Sequence, residues 1–269
     1  ATEESTAFYM LILGSDSRDD GETASRSDVT MLARIDPDKG QVDLISIPRD
    51  TMVTIEGQGR QKINAAYSFG GASGAVDAVS TFAGVPITHY CEVHFDGLQR
   101  VVDELGGIWI NVPESFDAGN GGMSFNAGNQ RLNGAQALAF ARERKAFADG
   151  DNRRGQHQMT VIKAIVNKAC SSAVLTKYQE LLKAASDAFI TNMPYADISS
   201  LVQMQLGDMA GWNITTYAVS GEGSTEYCYA LGDKAWVMIK DSSKVNTAKN
   251  MIQQVINGEV PTTSSSDSN

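Results

Sequence analysis

The 269-residue sequence predicts an α/β protein, a three-layer α/β/α arrangement around a central mixed β-sheet. Three observations carry that prediction. Short apolar or β-branched runs interleave with stretches of helical periodicity along the whole chain. With 42% hydrophobic and 20% charged residues, the chain is long and apolar enough to bury one large core. No run of about 18 apolar residues occurs, so no segment reads as a membrane-spanning helix.

The first run, Phe8-Tyr9-Met10-Leu11-Ile12-Leu13, is continuously apolar and ends at Gly14, which predicts a strand buried on both faces. Residues 29–35 and 42–47 are two further strands, joined by Asp36-Pro37-Asp38-Lys39-Gly40 and therefore a hairpin. The Ala-rich stretch 64–82 predicts a helix, and 87–95 a strand. Leu98, Val101, Val102 and Leu105 share one face of a helix over 97–105, which Gly106-Gly107 terminates. Residues 108–112 form another strand, stopped by Pro113. The Gly- and Asn-rich stretch 119–128 has no regular pattern, and Asn133 caps a helix through 141. Met159, Ile162, Ile165, Val166 and Ala169 mark the apolar face of a helix over 152–169. Helices over 175–188 and 198–209, a strand pair of 214–219 with 236–239, and a helix over 244–256 complete the expectation. Residues 1–260 read as a single domain, and the Ser- and Thr-rich residues 261–269 as a disordered tail or linker. The polar opening 1–6 holds no leader, as expected of a chain that starts after a removed leader or anchor.

The net charge of −10 argues against nucleic acid as a partner, because a phosphate backbone needs a basic surface. Yet all eleven arginines lie at or before position 154, whereas all lysines except Lys39, Lys62 and Lys145 lie at or beyond Lys163. Arginine matches phosphate oxygens with a planar fork, so this grouping points to a local anion site. Arg18 and Arg26 occupy the loop after the first strand and Arg49 follows the third, where α/β sheets gather ligands. Arg142 and Arg144 close one helix, and Arg153 and Arg154 open the next. At about 100° per residue, Arg154 and Gln158 lean toward the apolar face and Arg153 points roughly opposite. Arg154 is therefore the inward group, near a helix N-terminus whose N–H groups favour an anion.

Asp16 and Asp28 sit among these arginines. They either cap loops and pair with Arg18 and Arg26, or hold a hard divalent cation that grips phosphate oxygens, as Mg²⁺ does with one or two carboxylates. Lys62 is either a further phosphate donor or a surface lysine. His89, His94 and His157 form no ligand cluster, and no P-loop, Rossmann or Gly-x-Ser-x-Gly motif occurs. Cys91, Cys170 and Cys228 match no metal spacing; they are either three buried thiols or a Cys170–Cys228 disulfide with Cys91 free in a strand.

Several motifs occur in order: Gly14-Ser15-Asp16-Ser17-Arg18, Arg26-Ser27-Asp28, Ser46-Ile47-Pro48-Arg49-Asp50 and Lys62-Ile63-Asn64-Ala65-Ala66-Tyr67. Val102-Asp103-Glu104-Leu105-Gly106-Gly107, Leu132-Asn133-Gly134 continuing to Arg142-Glu143-Arg144, and Gly150-Asp151-Asn152-Arg153-Arg154-Gly155-Gln156-His157-Gln158 follow. Together they resemble the LytR-CpsA-Psr family of bacterial cell-wall phosphotransferases over about residues 8–170, with 171–260 as the family's variable C-terminal part. The resemblance implies a catalytic domain outside the cytoplasmic membrane, held by an N-terminal anchor absent from this chain. It implies transfer of a glycopolymer from a polyprenyl-pyrophosphate carrier to peptidoglycan or a protein acceptor. By the same resemblance, Asp16 and Asp28 match Mg²⁺-associated aspartates. Arg26, Arg49, Arg142, Arg144 and Arg154 match pyrophosphate-binding arginines, and Gln158 a polar partner. Where many relatives carry Arg before that glutamine, this chain has His157. The lipid tail then needs an apolar groove, for which residues 65–83 and the helix after Arg154 are the candidates. The non-catalytic alternative is a protein that holds polyprenyl-linked glycans without transferring them.

Overall fold

The computed structural model describes residues 7–15, 27–119, 122–147, 150–169, 171, 188–208, 212–229, 231–240, 242–257 and 259. The chain begins with β1 (Phe8–Ser15), then the hairpin of β2 (Val29–Asp36) and β3 (Gln41–Ser46), then a second hairpin of β4 (Met52–Ile55) and β5 (Gly59–Lys62). Helix α1 (Ala65–Ala83) leads to β6 (His89–His94), α2 (Phe95–Glu104) and β7 (Ile108–Val112). The two-residue strands β8 (Phe116–Asp117) and β9 (Ser124–Phe125) precede β10 (Gly128–Leu132), α3 (Gly134–Arg142) and α4 (Gly150–Ala169). The remainder comprises β11 (Phe189–Thr191), α5 (Tyr195–Asp208), β12 (Asn213–Ala218), β13 (Gly223–Cys228), β14 (Asp233–Met238) and α6 (Ser242–Ile256).

The central sheet runs β11-β6-β1-β2-β3-β12 and is mixed. β2 is antiparallel to both β1 and β3, whereas β6 joins β1 and β12 joins β3 in parallel. Side chains alternate across it. Leu11, Leu13, Leu32 and Ile45 face a core shared with Ala66, Ala75 and Val79 of α1 and Val245, Ala248 and Ile252 of α6. Met31, Ala33 and Leu44 face the opposite way, toward Met159 of α4. A further core joins Ile108 and Ile110 of β7, Leu132 of β10, Phe140 of α3 and Val161 of α4. The architecture is the three-layer α/β/α arrangement expected from the interleaved periodicities.

Local chemistry explains the boundaries that matter for the site. Asn133 begins α3 with a complete capping box: its side chain accepts from the Gln136 N–H, and the Gln136 side chain accepts from the Asn133 N–H. Gly106 and Gly107 end the α2 segment with φ of 71° and 87°, where a side chain would be strained.

Four expectations need correction or completion. Residues 214–219 do not pair with 236–239: β12 adds to β3 in parallel, and β14 pairs with β13. Parallel pairing joins segments separated by a long crossover, and no local pattern encodes it. The hairpin β4–β5 and the edge strand β11 were not expected, and the stretch 119–128 contributes β9. The helix expected to start at Ile198 starts at Tyr195. Of the helix expected over 175–188, residues 175–187 lie outside the described residues, as does the tail from 260, and Ala188 stands in a turn.

Candidate active site

The strand β1 is not buried equally on its two faces. Leu11 and Leu13 are 0% and 1% exposed, whereas Met10 and Ile12 are only half-buried. Their face, continued by Cys91 and Val93 of β6, fronts a cavity of about 500 Å³. Helices α2, α3, α4 and α5 roof this face without filling it, supplying Leu98, Leu138, Ile162 and Val202 among the walls. Two close approaches hold α2 in that roof. A Cβ on Gly97 would lie 2.0 Å from the Ala188 carbonyl oxygen, and one on Gly134 2.2 Å from that of Gln99.

One stripe of α4 supplies Arg154, Gln158, Val161, Ile162, Ile165 and Ala169 to the lining. At 1.5 Å per residue the stripe is about 22 Å long. Its N-terminal end is cationic and polar and the rest is hydrocarbon, so a single helix face grades from head-group chemistry to tail chemistry. The other groove candidate does not contribute. Ala66, Ala75 and Ala78 of α1 are buried on the opposite side of the sheet, where small side chains let the helix approach closely instead of opening a groove.

The cationic end gathers Arg49, Arg142, Arg144 and Arg154 around the cavity, with the carboxylate of Asp28. Arg49 donates from Nη1 to Asp28 Oδ1 at 2.7 Å, and its Nε lies 3.4 Å from Asp50 Oδ2. Lys62 donates to the other oxygen of Asp50 at 2.6 Å. Lys62, Asp50, Arg49 and Asp28 thus form a chain of alternating charge. Lys62 is not part of the lining: it reaches Arg49 through Asp50 and does not project into the cavity. Arg142, Arg144 and Arg154 add further guanidinium groups to the lining, beside low-polarity walls.

Arg142 and Arg144 flank Glu143, which ends α3 in extended conformation (φ −68°, ψ 131°). Extended backbone sends alternate side chains to opposite sides. The arginines reach the cavity while Glu143 is 1% exposed. The Arg142 guanidinium lies 4.5 Å from the Phe95 ring centre, a cation–π contact that orients it. Glu143 accepts backbone N–H bonds from Gly119 at 2.6 Å, Lys145 at 2.5 Å and Ala146 at 2.9 Å. Burial pushes its carboxyl up, but these donors and the Arg144 N–H outweigh burial and leave it below the ordinary glutamate value.

The remaining predicted residues divide sharply. Asp16, Arg18 and Arg26 lie outside the described residues. Arg153 turns away from the cavity to Glu114 at 3.2 Å and stands over Phe147. His157 is 3% exposed and stacks on Phe140 with ring centres 4.1 Å apart, so it belongs to the core behind the cavity. Arg34 is buried in the sheet against Asp36 at 2.9 Å, and Arg131 bonds the Gly106 carbonyl. The arginine grouping therefore mixes site residues with structural ones. Cys91 and Cys228 are free thiols, and Cys170 lies outside the described residues. Sequence reasoning missed Asp50, Phe95 and Glu143. Asp50 and Glu143 adjoin arginines already singled out, and that adjacency was the available signal.

Among the described residues, no group of three or more His, Cys, Asp and Glu side chains is arranged to hold a metal ion by itself. The half-buried carboxylate of Asp28 nevertheless fits a hard cation that takes most of its ligands from phosphate and water. No helix among the described residues is long and apolar enough to cross a membrane.

A polyisoprenyl-teichoic acid–peptidoglycan teichoic acid transferase TagU of Enterococcus faecalis is 40% identical over 196 residues, 72% of this chain and 64% of that protein. The chain thus spans somewhat less than two thirds of that relative's length. Bacillus subtilis TagV superposes with a TM-score of 0.80 at 29% identity, over 94% of this chain and 98% of that one. TagT bound to LI-WTA superposes with a TM-score of 0.75 at 25% identity, over 93% and 91%. Residues 1–251 match the LytR_cpsA_psr family, and with the shared fold this match establishes that the chain belongs to it.

Proposed function

We propose that this chain is a phosphotransferase that moves a glycopolymer from a polyprenyl-pyrophosphate carrier to peptidoglycan, or to a protein acceptor. The observation that carries the reading is the graded stripe of α4, in which Arg154 and Gln158 precede an apolar wall. An amphiphile with an anionic head and a long hydrocarbon tail matches both parts, and a soluble sugar phosphate matches only the first. The similarity to transferases named for polyisoprenyl-linked teichoic acid supports the same substrate class.

In this mechanism the acceptor hydroxyl attacks the phosphorus next to the sugar, the P–O–P bond breaks, and polyprenyl phosphate leaves while the hydroxyl proton passes to the leaving phosphate or to water. Arg49, Arg142, Arg144 and Arg154 hold the pyrophosphate oxygens and neutralise charge that develops on them, while the apolar wall fixes the tail. Arg49 is pre-oriented by Asp28 and Asp50, so little reorganisation is needed as charge builds. Asp28, with Asp16, would hold a Mg²⁺ ion, which when bound supplies further charge neutralisation. In this reading the catalytic domain works outside the membrane, where carrier and wall meet.

The test is release of polyprenyl phosphate when the protein is incubated with carrier-linked teichoic acid, peptidoglycan fragments and Mg²⁺. Release that EDTA stops and Arg49→Ala suppresses supports the transferase. Tight carrier binding without release, under all metal conditions, identifies a non-catalytic holder of the carrier instead.

A further inference from the structure

We propose that Glu143 is a positioning residue for the pyrophosphate site, setting the Arg142–Arg144 pair without touching the ligand. The proposal rests on the pyrophosphate reading above and adds to it the group that holds the two arginines on one side of the chain. Over residues 143–147, the described part of the connection from α3 to α4, the backbone has no helical or sheet ladder to fix it. Glu143 replaces that ladder. Its Oε1 accepts from the Lys145 and Ala146 N–H groups, closing the turn just after Arg144, and its Oε2 accepts from Gly119 in the loop between β8 and β9. One carboxylate therefore ties the arginine segment to a second, sequence-distant loop.

The placement is specific. A carboxylate that is 1% exposed cannot reach a ligand in the cavity, and its side chain leaves the backbone on the side opposite its two neighbours. Hydrogen bonds to a charged acceptor are among the stronger ones in a protein. Arg142 is the last residue of α3, whereas the turn that follows Arg144 is tied by these bonds, so losing them loosens the chain at Arg144. Arg142 keeps its contact with Phe95, so Arg144 is the group expected to shift more.

The experiment measures binding of farnesyl pyrophosphate and of farnesol, the same tail without the charge, to the wild-type chain, Glu143→Ala and Glu143→Gln. A hydrogen bond to a charged group is worth roughly tenfold or more in affinity, so Glu143→Ala, by misplacing Arg144, is expected to weaken farnesyl pyrophosphate by about tenfold or more and leave farnesol within about twofold. Glu143→Gln keeps an acceptor oxygen for Lys145 and Ala146 but turns an NH₂ toward the Gly119 N–H. It is expected to fall between wild type and Ala, and it carries the test if the Ala variant does not fold. In a double-mutant cycle, Glu143→Ala should cost little once Arg144 is already Ala, because it acts through that side chain. Equal weakening of both ligands, additive effects with Arg144→Ala, or no change in either ligand overturns the proposal while leaving the pyrophosphate reading intact. Failure of the wild-type chain to prefer farnesyl pyrophosphate over farnesol overturns both.

Discussion

The two faces of the central sheet are built from the same strands but used differently. Toward α1 and α6, Leu11, Leu13 and Leu32 are at most 1% exposed and meet alanines and valines that interlock with them. Toward α2, α4 and α5, the neighbouring residues Met10 and Ile12 stay half-buried beside a cavity of about 500 Å³. Apolar surface left unburied forgoes about 25 cal/mol per Å². Among the described residues one face is closed and the other fronts a cavity, the space in which the proposed carrier would lie. If the proposed function holds, the contrast separates stability from binding along a single strand.

The largest expected effect follows directly. Leu11→Ala opens a hole in the closed face and should cost about 2–5 kcal/mol of stability. Ile12→Ala, one residue away, enlarges a space that already exists and should cost about 1 kcal/mol, because little buried surface is lost. Ligand affinity should show the reverse order, with Ile12→Ala weakening a prenyl pyrophosphate and Leu11→Ala sparing it in the folded fraction. Chemical denaturation alongside ligand titration checks both, and equal stability losses would break the comparison.

Next come the charged groups at the mouth. Removing a contact that tightens in the transition state costs about 10²- to 10³-fold in rate. Arg49→Ala and Arg154→Ala are expected in that range for polyprenyl phosphate release, with unfolding midpoints near wild type. Asp50→Asn should have a smaller effect, on the order of tenfold, since Asp28 still orients Arg49 when Asp50 loses its charge. Its effect should shrink in a Lys62→Met background, where the partner charge is already gone. An Asp50→Asn loss as large as that of Arg49→Ala would show that the charge chain, and not Arg49 alone, carries the activity.

Much of the closed face was legible in the sequence and much of the open one was not, for a physical reason. Period-2 and period-3.6 patterns report which residues avoid water, so β1, the β2–β3 hairpin, the capped start of α3 and the face of α4 could be read from order alone. A helix lining a cavity and a helix filling a core avoid water equally, and the pattern cannot tell them apart. The Ala-rich α1 therefore looked as suitable for a lipid as α4, although its small side chains serve close packing. Helical angle did separate Arg154 from Arg153. Arg142 and Arg144 needed more: only the extended conformation of Glu143 puts both on one side. Likewise Arg34 counted as part of a cationic cluster until its strand placed it against Asp36 and Asp43.

The smallest expected effect is also the most direct probe of which face is open. Cys91 lines the cavity, whereas Cys228 is buried with Met52 and Val237 in a separate small core. Burial, with a smaller contribution from the Glu92 charge, pushes the Cys91 thiol up to about 12. The thiolate is the reacting form, so accessibility alone does not make this cysteine reactive. In a Cys170→Ser background, maleimide labelling of Cys91 should be slow at pH 7 and rise about tenfold per pH unit without levelling near the ordinary thiol value of about 8.5. Farnesyl pyrophosphate should slow the labelling, because tail and reagent compete for the same wall. Cys228 should label only on unfolding. Labelling of Cys91 that plateaus near pH 9, or that a bound prenyl chain leaves unchanged, would mean that the tail does not run along β1 and β6, and the two faces would then differ in packing alone.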